Sequence, residues 1–311
     1  MADLGKMFGA AASEGFLGLP RVGIEAARGA RVAILGAGAV TSYPSVGAYC
    51  ANGPAAIRAG GAAYAANLAH MNFDLGAPTL PHDGAAVDCG DLATVDGAGA
   101  ENRALVRDAV AQLLDQDVVP LLLGGDDSLP IPMLEAFAGR GRYTILQIDA
   151  HIDWRDAVEG ERLGLSSTMR RASEMGHVER IIQVGQRGIG SARAQDYRDA
   201  CDWGVQFVPA AEVARRGVQA ALDLIPEGAE VIICFDCDAI DPAIMPAVIG
   251  RTAGGLSYWQ ALDLIAGVAA RARIAAFDLV EFMPERDIDG QSALVAAQLI
   301  AATLGVIARQ G

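Results

Sequence analysis

The chain has 311 residues, 52% of them hydrophobic, and a formal net charge of −14. This length and composition suffice for one large core or two small ones. The negative charge disfavours nucleic acids and anionic membranes as partners, because both would be repelled. The five cysteines fit no structural zinc spacing and no signal peptide is evident, so we expect reduced thiols and a cytoplasmic location.

Residues 1–30 are rich in Gly and Ala and predict an N-terminal arm that is mobile or contacts a partner. Residues 31–311 predict a single domain, because no Pro-, Gly- or Ser-rich linker divides them. Within it, apolar β-rich runs alternate with helix-like stretches. The predicted strands are 31–36, 85–89, 118–124, 143–148, 180–185, 205–208, 230–235 and 273–280. The predicted helices are 54–68, 100–116, 129–140, 192–203, 210–225, 257–271 and 291–308.

Eight strands alternating with helices predict an α/β fold whose mostly parallel sheet is covered on both faces. A (β/α)₈ barrel is the main alternative, but uneven helices and long acidic loops after the strands favour an open sheet. In open α/β sheets the functional site lies at the carboxyl ends of the strands. The apolar stretch 291–308 is marginal against the roughly 20 strongly apolar residues of a membrane span, and we interpret it as a buried helix.

Four predicted strands end in acidic or imidazole side chains. The sequences at these ends are GGDDS (124–128), DAHID (149–153), DCDAIDP (236–242) and FDLVEFMPE (277–285). One such end is most simply a solvated loop or a helix cap, but four on one parallel sheet should converge on a single cleft. Neighbouring carboxylates repel each other unless a positive ion lies between them. A ligand set rich in carboxylates suits Mn²⁺, and less obviously Ni²⁺ or Zn²⁺, with enough positions for two ions.

In their order and spacing these motifs resemble the ureohydrolase family of arginases and agmatinases. Lesser landmarks agree, namely GPAAIR (53–58), VDCGD (87–91), VGQRGIG (184–190) and GGLSYWQAL (254–262). The resemblance covers about residues 31–305 and implies a three-layer αβα fold around an eight-stranded sheet. It also implies two divalent ions, most simply Mn²⁺ with Ni²⁺ as the alternative, whose bridging hydroxide attacks a guanidinium carbon and releases urea. The family commonly forms trimers or hexamers, so we expect an oligomer.

The resemblance assigns a role to each matching residue. Asp149, Asp153 and Asp236 would bind the first metal, with Asp149 and Asp236 bridging to the second. His151 and Asp238 would complete the second metal site. Glu281 matches the family glutamate that holds the substrate guanidinium through a charge-assisted pairing. The landmark residue Asp88 is expected to lie in a loop.

Two positions depart from the family pattern. Asp127 replaces a histidine ligand of the first metal, and it can still bind a metal. Its extra negative charge should raise the pKa of a bridging water. Leu165, in GLSSTMRRA (164–172), replaces a histidine that is thought to shuttle protons. Leucine cannot transfer a proton.

Two functional hypotheses follow from these observations. The first is a metal-dependent hydrolase that converts a guanidino compound into urea and an amine. The second is a non-catalytic companion subunit that supports an active paralogue in a hetero-oligomer, similar to the two unlike subunits of the family's nickel-dependent metformin hydrolase. The loops expected to select the substrate, 38–53 and 243–253, contain no carboxylate. A small neutral or alkylated guanidine is therefore favoured over agmatine.

Overall fold

The computed structural model describes residues 15–310, together with Gly5 and Met7. The strands are β1 (Val32–Ala37), β2 (Met71–Asn72), β3 (Ala77–Pro78), β4 (Ala86–Asp91), β5 (Val119–Gly124), β6 (Tyr143–Ile148), β7 (Val178–Val184), β8 (Gln206–Val208), β9 (Glu230–Asp236) and β10 (Arg273–Val280). β2 and β3 pair as a small antiparallel sheet. The other eight form one open sheet in the order β4-β1-β5-β10-β9-β6-β7-β8, and every neighbouring pair is parallel. The predicted α/β class is confirmed, and the barrel alternative is wrong.

Helices cover both faces of this sheet. They are α1 (Gly53–Gly61), α2 (Gly99–Leu114), α3 (Pro130–Glu135), α4 (Thr168–Ser173), α5 (Ala194–Trp203), α6 (Ala210–Arg216), α7 (Gln219–Leu222), α8 (Tyr258–Arg271) and α9 (Gln291–Ala308). Alternate residues of β5 point to opposite faces, as the strand period requires. Leu121 and Leu123 pack in the core that includes α8 and α9, whereas Leu122 packs in the core that includes α2 and α3. The three-layer architecture follows from this alternation.

The apolar helix α9 is a core helix. It is long and apolar enough to cross a membrane, the one such helix in the described part of the chain, and 72% of it is buried inside the protein. The interpretation of 291–308 as a buried helix is confirmed. α8 begins at the predicted capping box, in which the Ser257 hydroxyl accepts from Gln260 N at 3.2 Å and the Gln260 side chain accepts from Ser257 N at 2.9 Å.

Three helix predictions are too long. The predicted helix 54–68 ends at Gly61, before a 3₁₀ turn and the β2–β3 hairpin. The predicted helix 210–225 is divided into α6 and α7 at Gly217, which has φ of 74° and cannot continue a right-handed helix. The predicted helix 129–140 is regular only over α3, and a turn follows it at residues 136–139.

Residues 15–30 of the predicted arm lie against the domain. Phe16, Leu17 and Leu19 are buried in the core beside α1 and α9. Phe16 N donates a hydrogen bond to Asp88 Oδ2 at 2.8 Å. The rest of the predicted arm, residues 1–14, lies outside the described residues apart from Gly5 and Met7. The arm boundary at residue 30 stays a prediction.

Two family landmarks meet in a buried ion pair beside β4. Arg58, which ends GPAAIR, donates from Nε and Nη2 to the two carboxylate oxygens of Asp88 at 2.8 and 3.0 Å. Arg58 Nη1 also contacts Asp91 Oδ1 at 2.5 Å. The expectation of a loop at Asp88 is wrong, because this residue lies within β4 and is fully buried. A buried carboxylate requires such partners, so these landmarks join α1 to the edge of the sheet.

Candidate metal centre

The carboxyl ends of β5, β10, β9 and β6, which are neighbours in the sheet, border one cavity of about 220 Å³. The predicted site residues that line it are Asp127, His151, Asp153, Asp236, Asp238 and Glu281. Asp149 is fully buried beside them. The four acidic strand ends therefore converge as a parallel sheet requires.

Two overlapping groups of side chains have the geometry to hold a metal ion. One consists of Asp149, His151 and Asp238, and the other of Asp127, Asp149 and Asp153. Within each group the three ligand atoms lie within 4.8 Å of one another. Asp149 belongs to both groups, which is the arrangement expected of a carboxylate between two ions. Asp236 lines the same cavity without joining either group of described residues.

A repeated turn shapes these strand ends. The backbone N–H of His151 donates to Asp149 Oδ1 at 2.6 Å, and that of Asp238 donates to Asp236 Oδ1 at 2.6 Å. In each case an aspartate accepts from the residue two positions later, which is the Asx turn that ends a strand. Ala150 N donates to Asp238 Oδ1 at 3.1 Å and joins the two strand ends. The aspartates are thus oriented by backbone hydrogen bonds.

The carboxylates concentrate negative charge in a buried space. Burial raises the pKa of Asp127, and repulsion from Asp153 and Asp149 raises it further. Burial also raises the pKa of Asp236, followed by repulsion from Asp238. Asp127 Oδ2 is buried and accepts no hydrogen bond from the described residues. An unpartnered buried carboxylate oxygen among other carboxylates has the chemistry of a cation ligand, so the donor set fits a divalent ion.

His151 is held between two of these carboxylates. Its Nδ1 lies 3.0 Å from Asp238 Oδ2 and 3.4 Å from Asp149 Oδ1. Burial lowers the pKa of His151, but hydrogen bonds with Asp149 and Asp238 raise it to about 12. The imidazole ring of His151 is therefore held by contacts with two other candidate metal ligands, Asp149 and Asp238.

Glu281 closes the cavity next to Asp127. Both of its carboxylate oxygens lie 2.7 Å from the Tyr49 hydroxyl, and Oε1 accepts from Asp127 N at 2.9 Å. Burial raises the pKa of Glu281 to about 8. Glu281 has φ of 63° and Asp153 has φ of 43°, a left-handed conformation that is uncommon outside glycine. Tyr49 was not predicted from the sequence, because one tyrosine in a loop carries no distinguishing pattern.

The loops that were expected to select the substrate contribute few residues to the mouth of the cavity. Of the loops 38–53 and 243–253, only Tyr49, Ile249 and Gly250 line the cavity. The charged residues of the mouth come from other segments, with Arg155 Nε 3.3 Å from Asp196 Oδ2. The wall also contains Leu165.

Residues 30–305 match the sequence profile of the arginase family. The chain belongs to the arginase family. Guanidinobutyrase of Pseudomonas aeruginosa is 30% identical over 242 residues, covering 76% of this chain and 75% of that protein. Mitochondrial agmatinase of Gallus gallus is 32% identical over 208 residues, covering 65% of this chain and 61% of that protein. The structure of proclavaminate amidino hydrolase from Streptomyces clavuligerus has a TM-score of 0.82 at 26% identity, covering 97% of this chain and 99% of that one.

Arginase-family proteins are binuclear metal hydrolases that act on guanidino compounds, and the match covers every strand of the sheet. The two ligand groups that share Asp149 agree with a binuclear centre. The position that departs from the family motif, Asp127, is itself one of the candidate ligands. Leu165 faces the same cavity, so the second departure also lies at the site.

Proposed function

We propose that this chain hydrolyses a small guanidino compound to urea and an amine. The observation that carries the proposal is a single cavity that contains two groups of candidate metal ligands. The two groups share Asp149 and lie next to the buried carboxylate of Glu281. Relatives with this activity class include the guanidinobutyrase and the agmatinase named above. The substrates in these relatives' names differ in the group attached to the guanidinium, which we call the tail. Membership of the family therefore does not determine which guanidino compound this chain hydrolyses, and the lining of its own cavity has to be considered.

Asp127, Asp149 and Asp153 would hold the first ion, and Asp149, His151 and Asp238 the second. Asp236, which lines the cavity beside them, would be a further ligand. When bound, two divalent ions supply the Lewis acidity that makes water nucleophilic near neutral pH. The carboxylate-rich set favours Mn²⁺, with Ni²⁺ as the alternative.

Glu281 would bind the guanidinium of the substrate. In its ionised form, this buried carboxylate can pair with a planar cation through two charge-assisted hydrogen bonds. The cation would in turn favour that form over the neutral acid that the raised pKa implies. The Tyr49 hydroxyl and the Asp127 amide already hold that carboxylate in place. A held carboxylate loses little freedom when the substrate binds, which favours one orientation of the guanidinium carbon.

The tail of the substrate would be uncharged. At the mouth, Arg155 Nε lies 3.3 Å from Asp196 Oδ2, so each charge has an oppositely charged neighbour, although this oxygen accepts no hydrogen bond from the described residues. An anionic tail would have to displace Asp196 from Arg155, and a cationic tail would have to displace Arg155 from Asp196. A neutral or alkylated guanidine leaves this pair intact.

A second candidate function is the non-catalytic companion subunit. The observation that favours it is Leu165 in the cavity wall, where the side chain can neither donate nor accept a proton. Among the described lining residues the one imidazole is His151, which is a candidate ligand. As an enzyme, this chain would pass the proton to the leaving amine through water.

Urea release by the purified chain, loaded with Mn²⁺ or Ni²⁺, separates the two functions. We expect turnover of methylguanidine that Glu281→Gln removes without loss of bound metal. If the native chain releases no urea, the variant carrying both Asp127→His and Leu165→His becomes decisive. A gain of about 10²–10⁴-fold in that variant would support the companion function. A chain that binds no divalent ion would contradict the hydrolase.

A further inference from the structure

Two glutamines lie side by side in the otherwise apolar core of the sheet. Gln147 of β6 pairs in register with Gln183 of β7, and both side chains are at most 1% exposed. Burying an amide is unfavourable unless its polar atoms are hydrogen bonded. Such a pair in the middle of a parallel sheet therefore requires a function that valine or leucine could not supply.

The backbone fixes the orientation of both amides. Gln183 Nε2 donates to the carbonyl oxygen of Ile152 at 2.8 Å, and a carbonyl can only accept. The same NH₂ group donates to Gln147 Oε1. Gln147 must therefore present its oxygen to Gln183 and its NH₂ group to the opposite side.

That NH₂ group joins two candidate ligands of the first metal. Gln147 Nε2 donates to Asp149 Oδ2 at 2.7 Å and to Asp153 Oδ2 at 2.6 Å. Asp149 and Asp153 are four residues apart, and Asp153 is in the left-handed backbone conformation. When both are ionised, the two carboxylates repel each other. One neutral amide holds their oxygens together through two hydrogen bonds.

We propose that Gln147 is a positioning residue for the ion bound by Asp127, Asp149 and Asp153, and that Gln183 fixes its orientation. This inference rests on the metal centre of the proposed function. Gln147 is not itself a ligand, because its oxygen faces Gln183. A lysine or arginine at this position would compete with the ion, and a glutamate would add repulsion. A glutamine holds the two carboxylates in place and, because it is neutral, does not compete with the ion for their negative charge.

The test is Gln147→Leu, which keeps the size of the side chain and removes the amide. Mn²⁺ titration by calorimetry on the folded, metal-free protein gives the affinity of each ion. Partners outside the ligand set typically contribute 10–100-fold to metal affinity. We expect a loss of about that size for the first ion and a smaller change for the ion on His151 and Asp238.

The matched control is Gln206→Leu on β8. Its side chain accepts a hydrogen bond from Arg180 Nη1 at 2.7 Å and contacts none of the candidate ligands. Both Mn²⁺ affinities should be unchanged in this variant. Thermal unfolding of the metal-free proteins checks that each variant folds.

If Gln147→Leu does not fold, Gln183→Leu carries the test, because it leaves the Gln147 amide in place but free to rotate. A weaker first ion in Gln183→Leu supports the inference, and unchanged affinity in a folded variant overturns it. Weakening of both ions in the control Gln206→Leu also overturns it, because that is the result of a general structural defect. Some weakening of the second ion in Gln147→Leu is expected, because Asp149 belongs to both ligand groups. A wild-type chain that binds no Mn²⁺ fails at an earlier step and refutes the metal centre itself.

Discussion

Replacing Asp88 with asparagine should destabilise the protein strongly. The fully buried carboxylate accepts five hydrogen bonds, two from Arg58 and one each from Arg21, Phe16 N and Gly90 N, at 2.8–3.2 Å. An amide has one acceptor oxygen, and its NH₂ group would face donors. Removing one partner of a buried ion pair costs about 3–5 kcal/mol, because the other charge is left uncompensated. Since Asp88→Asn leaves Arg58 paired only with the half-exposed Asp91, we expect a loss of about 3 kcal/mol, at the lower end of this range.

Urea denaturation followed by circular dichroism measures this loss. With a slope of about 3 kcal/mol/M, the midpoint should fall by roughly 1 M. The control is Asp108→Asn, which removes an exposed pair with Arg107 at 2.9 Å and should leave the midpoint nearly unchanged. A drop of less than about 1 kcal/mol in Asp88→Asn would refute the reasoning, since it would mean that the ion pair only offsets its own desolvation.

The pH dependence of Asp88→Asn has a defined sign. Burial raises the pKa of Asp88, but the hydrogen bonds and charge of Arg58 outweigh it, so the pKa is lowered. A lowered pKa means that the carboxylate stabilises the fold above its unfolded pKa of about 3.9 and loses this contribution as pH falls through the lower folded pKa. The difference between wild type and variant should therefore be constant near neutral pH and shrink below about pH 4.

Three further predictions concern the site and assembly. Arg155→Gln should raise kcat/KM for agmatine relative to methylguanidine by about three- to tenfold, because it leaves Asp196 unpaired. Asp196→Asn should raise kcat/KM for 4-guanidinobutyrate relative to methylguanidine by a similar factor, because it leaves Arg155 unpaired. Unchanged ratios in both variants would exclude the Arg155–Asp196 pair from substrate selection. Glu281→Gln should lower kcat/KM by at least about tenfold, as expected for a lost charged hydrogen bond, while metal content by mass spectrometry stays constant. Sedimentation at micromolar concentration should give a mass above the chain mass of 32.2 kDa, and a monomer would contradict the expected trimer or hexamer.

The sheet and the position of the cavity were readable from the sequence, because both depend on local patterns. The apolar run 231–235 is typical of a strand buried on both faces, and Asp236 marks where its apolar pattern ends. Parallel strands place all such ends at one edge. This geometry directed attention to the acidic and imidazole strand ends, and the family resemblance assigned the ligands among them.

What the sequence did not reveal depends on contacts between distant segments. Gln147 and Gln183 are 36 positions apart, and each alone resembles a polar residue in a strand. The ion pair of Asp88 with Arg58, 30 positions away, was missed although the predicted strand 85–89 includes Asp88, because nothing in the sequence relates the two residues. The mouth pair was missed because Arg155 and Asp196 belong to segments that carry no motif. Partners that meet only after folding leave no spacing to detect.

The left-handed backbone at Asp153 and Glu281 links folding to metal supply. Each such conformation costs about 1–3 kcal/mol for a residue other than glycine, so the two together cost roughly 2–6 kcal/mol. Ligands that bind only the folded state return this free energy in proportion to the logarithm of their concentration. A chain made when divalent ions are scarce is then the less stable form, exposed to proteolysis before it can act. Metal binding at the proposed centre would therefore also protect the fold against proteolysis.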